Sequence, residues 1–131
     1  MTDIQEVLFI NPTEESSYCI FPASYEKDDN IVFHGTSILF FKSITQFGLQ
    51  SAKIINQGEL SSVSLTLNSG AALRHACEKW VDDDRVVFAV NLKSIEPETV
   101  VNNTSVLYIF DPNPKPIIIA YCVVPKDYQM I

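Results

Sequence analysis

The sequence predicts an α+β fold with mostly antiparallel sheets that form a split core, and with two main helices in the first half of the chain. Three observations carry this prediction. Two segments have the apolar spacing of helices, six or seven segments have the composition of strands, and the strand-rich second half includes one hairpin. Strands and helices do not alternate regularly, and the sequence has no glycine-rich phosphate loop, so a doubly wound fold is not expected.

Length and composition indicate one domain over residues 1–131, with 47% hydrophobic and 19% charged residues. The longest apolar runs are too short to span a bilayer, and the acidic N-terminal stretch is unlike a signal peptide. Three cysteines, Cys19, Cys77 and Cys122, lie among apolar neighbours without the spacing of metal ligands. We therefore expect buried free thiols, no metal site, no membrane contact and a cytoplasmic location.

The first third of the chain is predicted to form short strands. The segments EVLFI and SYCIF are apolar, and a proline follows each of them closely. After the polar loop YEKDDN comes the strand IVFH, which ends at His34.

The first main helix is predicted in ILFFKSITQFGL, where the hydroxyl of Ser37 can cap the first turn. Phe40, Ile44 and Phe47 share one face of this helix, and Gly48 can end it in a left-handed conformation.

The remaining elements follow from alternation and from apolar runs. SVSLTL alternates as a half-buried strand does, and GAALRHACEKWV has the spacing of an amphipathic helix. The apolar face of that helix should bury Leu73, Ala76, Cys77 and Trp80. VVFAVNL, SVLYIF and IIIAYCVV are predicted strands, and the turn DPNPKP should join the last two into the hairpin.

His34 and Gly35 are the first candidate site, because they lie between a strand and the start of a helix. Gly35 lets a ligand approach bare backbone, and a helix N-terminus offers free N–H groups to an amide carbonyl or a phosphate. The alternative is a surface histidine in a turn, with Gly35 needed only for the bend.

Ser64 and Thr66 are the second candidate, since they point the same way from one strand and Ser69 follows at the start of the second helix. The alternative is a solvated strand face. A shared site requires these groups and His34 to line one cleft.

The order of these elements resembles the ADP-ribosyltransferase catalytic fold, in its diphtheria-toxin and poly(ADP-ribose) polymerase branch. The motifs are the strand ending in HGT, a helix ending in GL, the strand VSLTL, a helix with AALRHA, the strand VVFAVNL, and YIFDPNPKPIIIAYCVV. The resemblance covers about residues 31 to 124.

The resemblance implies that the substrate is NAD. His34 would hydrogen-bond ribose hydroxyls, the Gly35 backbone would meet the nicotinamide amide, Thr36 would support that corner, and Ser69 could meet the amide oxygen. Ser64 and Thr66 would line the same cleft.

Two positions depart from the family pattern. The stacking tyrosine of the family falls at Ser64 or Leu65, and its glutamate falls at Val106. That glutamate normally stabilises the oxocarbenium-like ribose. Because valine replaces it here, a rearranged site in which Glu98 supplies the carboxylate is one alternative.

The implied function is therefore NAD-dependent mono-ADP-ribosyl transfer to a protein or small acceptor. One alternative is a catalytically inactive module of the same fold that binds NAD, ADP-ribose or a protein. Another is an RNA 2′-phosphotransferase, whose site needs arginines to grip phosphates. Only Arg74 and Arg85 are available for that, and a net charge of −7 with nine lysines and arginines argues against nucleic acid as a partner.

Overall fold

A seven-stranded mixed sheet with helices against it organises the computed structural model. The structure describes residues 4–49, 63–93, 95, 100–103, 106–109 and 116–129. The strands are β1 (Gln5–Glu6), β2 (Ile31–Ser37), β3 (Val63–Thr66), β4 (Arg85–Asn91), β5 (Val100–Asn103), β6 (Val106–Ile109) and β7 (Ile117–Val124). The helices are α1 (Ala23–Glu26), α2 (Phe41–Phe47) and α3 (Ser69–Lys79), with 3-10 turns at Glu14–Ser16 and Ile38–Phe40.

The strand order is β1-β7-β4-β2-β3-β6-β5. In the described part of the sheet, β1 runs parallel to β7, and the other pairings are antiparallel. The predicted α+β class and the mostly antiparallel pairing are therefore confirmed, but the described strands form one continuous sheet and not the several sheets of the predicted split core. The two longer helices, α2 and α3, are the two predicted ones, although α3 begins at residue 69, just past the middle of the chain.

The centre of the sheet, at β2 and β4, is buried on both faces, because a hydrophobic cluster covers each of them. In β4, Val87 and Ala89 belong to the cluster that contains α3, while Val86, Phe88 and Val90 belong to the cluster that contains α2. A strand covered on both sides needs apolar residues at successive positions, which explains the continuous run VVFAV. Among the described residues, no helix has the length and apolar character needed to cross a membrane.

The predicted hairpin between SVLYIF and IIIAYCVV is wrong. β6 pairs with β3 and β5, whereas β7 pairs with β4 and β1, so the two strands lie far apart in the sheet. β7 gains a ladder of seven residue pairs with β4, and this pairing buries Ala120, Cys122 and Val124. The four residues of β6 could not offer so long a partner. The antiparallel neighbour of β6 along the chain is β5.

The N-terminal strands are shorter than predicted. EVLFI forms only the two-residue strand β1, and SYCIF is not a strand. Ser17 and Tyr18 have positive φ angles of 56° and 61°, which interrupt an extended backbone. Ile20 and Phe21 are nevertheless buried, because the turn directs them into the cluster beneath α3.

β2 continues beyond His34 to Ser37, so the predicted strand end is three residues too early. Ser37 then caps the following turn as predicted: its Oγ accepts a hydrogen bond from the Leu39 N–H at 3.1 Å. Gly48 has a positive φ of 81°, but its ψ of −178° differs from the left-handed helical conformation that was predicted. Phe47, predicted on the buried face with Ile44, is 55% exposed because α2 ends at this residue.

α3 buries Leu73 and Ala76 as predicted, but Cys77 and Trp80 are only half-buried. Trp80 follows the last helical residue, and its ring packs edge-on against Phe40 with the centroids 5.4 Å apart. The apolar face of α3 is therefore narrower than its sequence spacing predicts, because the helix stops before the tryptophan.

Two glycines let α3 lie close to its neighbours. A Cβ on Gly35 would lie 2.2 Å from the carbonyl oxygen of Ala72, and a Cβ on Gly70 would lie 2.3 Å from that of Ser17. No side-chain carbon tolerates such a distance to a backbone atom. β2 and the N-terminal segment therefore contact the backbone of α3 directly.

Gly35→Ala should lower the free energy of unfolding by about 3 kcal/mol or more, because the added methyl group forces α3 away from β2. Urea denaturation followed by circular dichroism measures the effect. Ser24→Ala, at an exposed position of α1, is the control and should change stability by less than about 0.5 kcal/mol. Equal stability of Gly35→Ala and the parent chain would contradict the close contact between the backbone of α3 and Gly35 of β2.

Candidate functional site

The candidate site lies where β2 and β3 part. β2 pairs with β4 over all seven residues, but its register with β3 is a single pair, Phe33 with Thr66. Beyond that pair, the two strands are no longer joined by a ladder. We call this part of the sheet the β2–β3 junction, and His34 and Ser64 are the residues that meet there.

The His34 side chain occupies the junction. Its Nδ1 lies 2.8 Å from the backbone carbonyl oxygen of Ser64. A carbonyl oxygen only accepts hydrogen bonds, so Nδ1 must carry the proton and donate it. In the neutral ring, Nε2 then has a free lone pair and can accept a hydrogen bond from a ligand hydroxyl.

The surroundings keep His34 neutral. Burial is the largest cause that lowers the pKa of His34 below its usual value of 6.5, and electrostatic interactions with His75 and Lys79 lower it further. The hydrogen bond to Ser64 opposes the shift without cancelling it. Near neutral pH the ring is therefore an uncharged acceptor that experiences the positive charge of Lys79 in α3.

Gly35 and Thr36 are both buried in β2. The space that Gly35 leaves by lacking a Cβ is filled by Ala72 and Ala76 of α3. The glycine thus has a structural use that the sequence alone did not reveal. Its part in binding an amide stays a prediction and concerns only its backbone groups.

Ser64 contacts His34 through its backbone carbonyl, and Thr66 pairs with Phe33, the residue before His34. A ligand site shared by these side chains stays a prediction. Ser64 and Thr66 are both half-buried, alternating with the buried Val63 and Leu65. The Thr66 hydroxyl donates to the carbonyl oxygen of Asn68 at 2.8 Å. Ser64 presents its carbonyl to His34, so this residue fixes the imidazole through its backbone.

Ser69 is fully buried, and its hydroxyl has partners within the protein. Its Oγ donates to a carboxylate oxygen of Glu26 in a very short hydrogen bond and accepts the N–H of Ile20 at 2.8 Å. The same carboxylate accepts the Ser69 N–H at 3.1 Å, at the N-terminus of α3. A role of Ser69 towards a nicotinamide amide stays a prediction and would require these bonds to open.

Glu26 is the residue that the sequence reasoning missed. It lies 43 residues before Ser69 in the chain, and its carboxylate satisfies backbone and side-chain donors at the start of α3, together with the Phe21 N–H at 3.3 Å. No local pattern connects α1 with this helix terminus. Only the tertiary packing brings the two together.

The two positions considered for a catalytic carboxylate have different outcomes. Val106 pairs with Thr66 in β6, and Thr66 pairs with Phe33. Neighbouring strands are about 4.8 Å apart, so Val106 lies roughly 10 Å from β2 across the sheet. It supplies no carboxylate there. Glu98 lies outside the described residues.

Comparison of the sequence with known protein families and with curated proteins finds no match. In the described ranges, His, Cys, Asp and Glu side chains form no group of three or more that could hold a metal ion. The three cysteines are free thiols; Cys122 is buried, and the other two are half-buried, contrary to the expectation that all three are buried.

The lowered pKa of His34 makes a testable prediction about acid stability. The unfolded chain takes up a proton near pH 6.5, whereas the folded chain resists it, so the contribution of His34 to stability is complete above that pH and is lost as the pH falls below it. In NMR spectra the His34 ring should titrate below 6.5, with the exposed His75 as a second imidazole signal in the same sample. A His34 pKa at or above 6.5 would contradict the conclusion that burial of the ring disfavours its charged form.

Ser69→Ala should destabilise the fold by about 1–3 kcal/mol, because Glu26 and the Ile20 N–H each lose a buried partner. Chemical denaturation at neutral pH measures the change. Ser64→Ala is the matched control, since it keeps the backbone carbonyl that His34 uses and should cost clearly less. Similar costs for both substitutions would contradict the role assigned to Ser69.

Proposed function

We propose that this domain has an ADP-ribosyltransferase-like fold, binds NAD at the β2–β3 junction, and transfers no more than one ADP-ribose to a protein or small acceptor. The observation that carries the proposal is His34, whose Nδ1–H is held by Ser64 so that Nε2 is left as a hydrogen-bond acceptor. A ribose hydroxyl is a suitable donor to such a nitrogen.

Charge near the junction supports a ligand with phosphates. Lys79 acts on His34 as a positive charge, although the chain as a whole has a net charge of −7. A neutral imidazole that experiences the charge of a lysine suits a molecule in which ribose hydroxyls adjoin a diphosphate, as in NAD. The same net charge disfavours RNA, whose many phosphates would face an acidic surface.

The chemical step needs a negative charge that Val106 does not provide. Cleavage of the nicotinamide–ribose bond builds positive charge on the ribose, and a carboxylate fixed nearby would stabilise it. Glu98 or an acid of the acceptor could supply that carboxylate. Slow, single transfer is therefore the expected activity.

A second candidate is a binding module of the same fold that holds NAD or ADP-ribose without turnover. Val106 in place of the glutamate favours it, because binding through His34 does not require the carboxylate. Both candidates bind their ligand through His34, and they differ in whether bound NAD is cleaved to release nicotinamide.

NAD binding tests the proposal, by calorimetric titration up to millimolar ligand with the parent chain, His34→Ala and Lys79→Ala. His34→Ala should abolish measurable binding, and Lys79→Ala should weaken it several-fold. Lys93→Ala removes an equal charge at an exposed position after β4 and is the matched control. Circular dichroism checks that each variant remains folded.

A nicotinamide-release assay then separates enzyme from binding module. Release by the parent chain that is lost in His34→Ala supports transfer, and its loss in Glu98→Gln would identify the carboxylate. Background release with NAD still bound supports the binding module. Failure of the parent chain to bind NAD would refute the enzyme, and failure to bind either NAD or ADP-ribose in the same titration would refute both candidates.

A further inference from the structure

A cavity of about 370 Å³ lies between α3 and the C-terminal segment. Neither His34 nor Ser64 of the β2–β3 junction lines it. Its walls carry three cationic side chains, Arg74, Arg85 and Lys126, and the carboxylate of Glu78. The half-buried thiol of Cys77 also lines it. The cavity therefore combines a nucleophilic sulfur with an excess of positive charge.

Arg85 is the unusual member of this group, because it is only 2% exposed. Its guanidinium donates to the carbonyl oxygens of Asp83, Lys126 and Tyr128 and, at 3.1 Å, to the Sγ of Cys77. Within the described part of the chain none of these partners is a carboxylate. The Arg85 Nε is buried and has no hydrogen-bond partner among the residues that the structure describes.

A buried cation without a counter-ion is costly, so this arrangement favours negative charge next to it. Among the groups that Arg85 contacts, the Cys77 sulfur is the one that can become an anion. A guanidinium that donates to sulfur stabilises a thiolate, which is the form of cysteine that attacks electrophiles. Carboxylates on the electrophile would meet Arg74 and Lys126, which are both exposed at the cavity.

The surroundings of the other two cysteines, Cys19 and Cys122, disfavour the thiolate form. Burial, and then the nearby Glu26 carboxylate, raise the pKa of Cys19 above its usual value. Burial raises the pKa of Cys122 to about 12, and this thiol is not accessible. Cys77 is thus the cysteine placed for reaction.

We propose that Cys77 is a site of thiol–disulfide exchange with small disulfides that carry carboxylates, which Arg74 and Lys126 bind. The Cys77 thiol gives its proton to solvent, and its sulfur attacks one sulfur of the disulfide. A new S–S bond forms to Cys77 and the original S–S bond breaks. Its electron pair leaves with the departing thiolate, so Cys77 is oxidised and half of the reagent is reduced.

The experiment treats the reduced 131-residue chain with three aliphatic disulfides of different charge: dithiodipropionate (negative), bis(hydroxyethyl) disulfide (neutral) and cystamine (positive). Intact mass and peptide mapping give the rate at each cysteine. Each rate is divided by that of the same reagent with the chain unfolded in urea, which removes differences in intrinsic reactivity.

Cys77 should react ahead of Cys19 and Cys122, and its normalised rate with the negative reagent should exceed that with the positive one by at least about tenfold. A chain with a net charge of −7 would otherwise favour the positive reagent. Cys77→Ser should remove the fast reaction, and Cys19→Ser should not.

The combined substitutions Arg74→Gln and Lys126→Gln should abolish the charge preference while Cys77 remains reactive. Both residues are exposed, and Lys126 contacts Arg85 only through its backbone carbonyl, so the fold should be retained. Lys42→Gln with Lys93→Gln removes the same charge from exposed positions elsewhere and should keep the preference. Reaction at Cys19 as fast as at Cys77, a negative reagent no faster than the positive one, or an unchanged preference in the first double variant would each overturn the proposal.

Discussion

The direct contact between the backbone of α3 and β2 is the constraint on which the remaining structure depends. It exists because Gly35 has no Cβ, and it brings Ala72 and Ala76 against the central strand of the sheet. At the start of the helix, Gly70 allows the same close approach to the carbonyl of Ser17. The small residues of α3 thereby replace the large side chains that usually separate a helix from a sheet.

This close approach decides what the neighbouring polar groups can do. The N-terminus of α3 is buried against the N-terminal segment, so its donors need partners inside the protein, and the side chains of Glu26 and Asn68 supply them. His34, one residue before Gly35, instead lies where β2 has no ladder with β3, and its ring satisfies the carbonyl of Ser64. The Glu26 carboxylate thus stabilises the fold, while the His34 imidazole keeps its Nε2 able to accept a hydrogen bond.

The sequence predicted the elements that local patterns determine and failed where distant contacts decide. The runs that form β4 and β7 were recognisable because they are apolar and β-branched, and Ser37 because a hydroxyl before a turn is a local signal. The pairing of β6 with β3, rather than with β7, depends on burial across the whole sheet. Within the site, the sequence predicted that His34 and Ser64 lie close together. It did not predict the hydrogen bonds between Ser69 and the Glu26 carboxylate.

Arg85 shows why the C-terminal segment also belongs to the architecture. Three of its hydrogen bonds go to carbonyls of Asp83, Lys126 and Tyr128, so the turn before β4 and the chain after β7 are fixed around one cation. Carbonyl dipoles lower the cost of burying that cation but do not neutralise it. The sulfur of Cys77, carried on the helix that Gly35 holds against the sheet, completes its surroundings. The position of α3 therefore governs both the imidazole at the β2–β3 junction and the thiol in the cationic cavity.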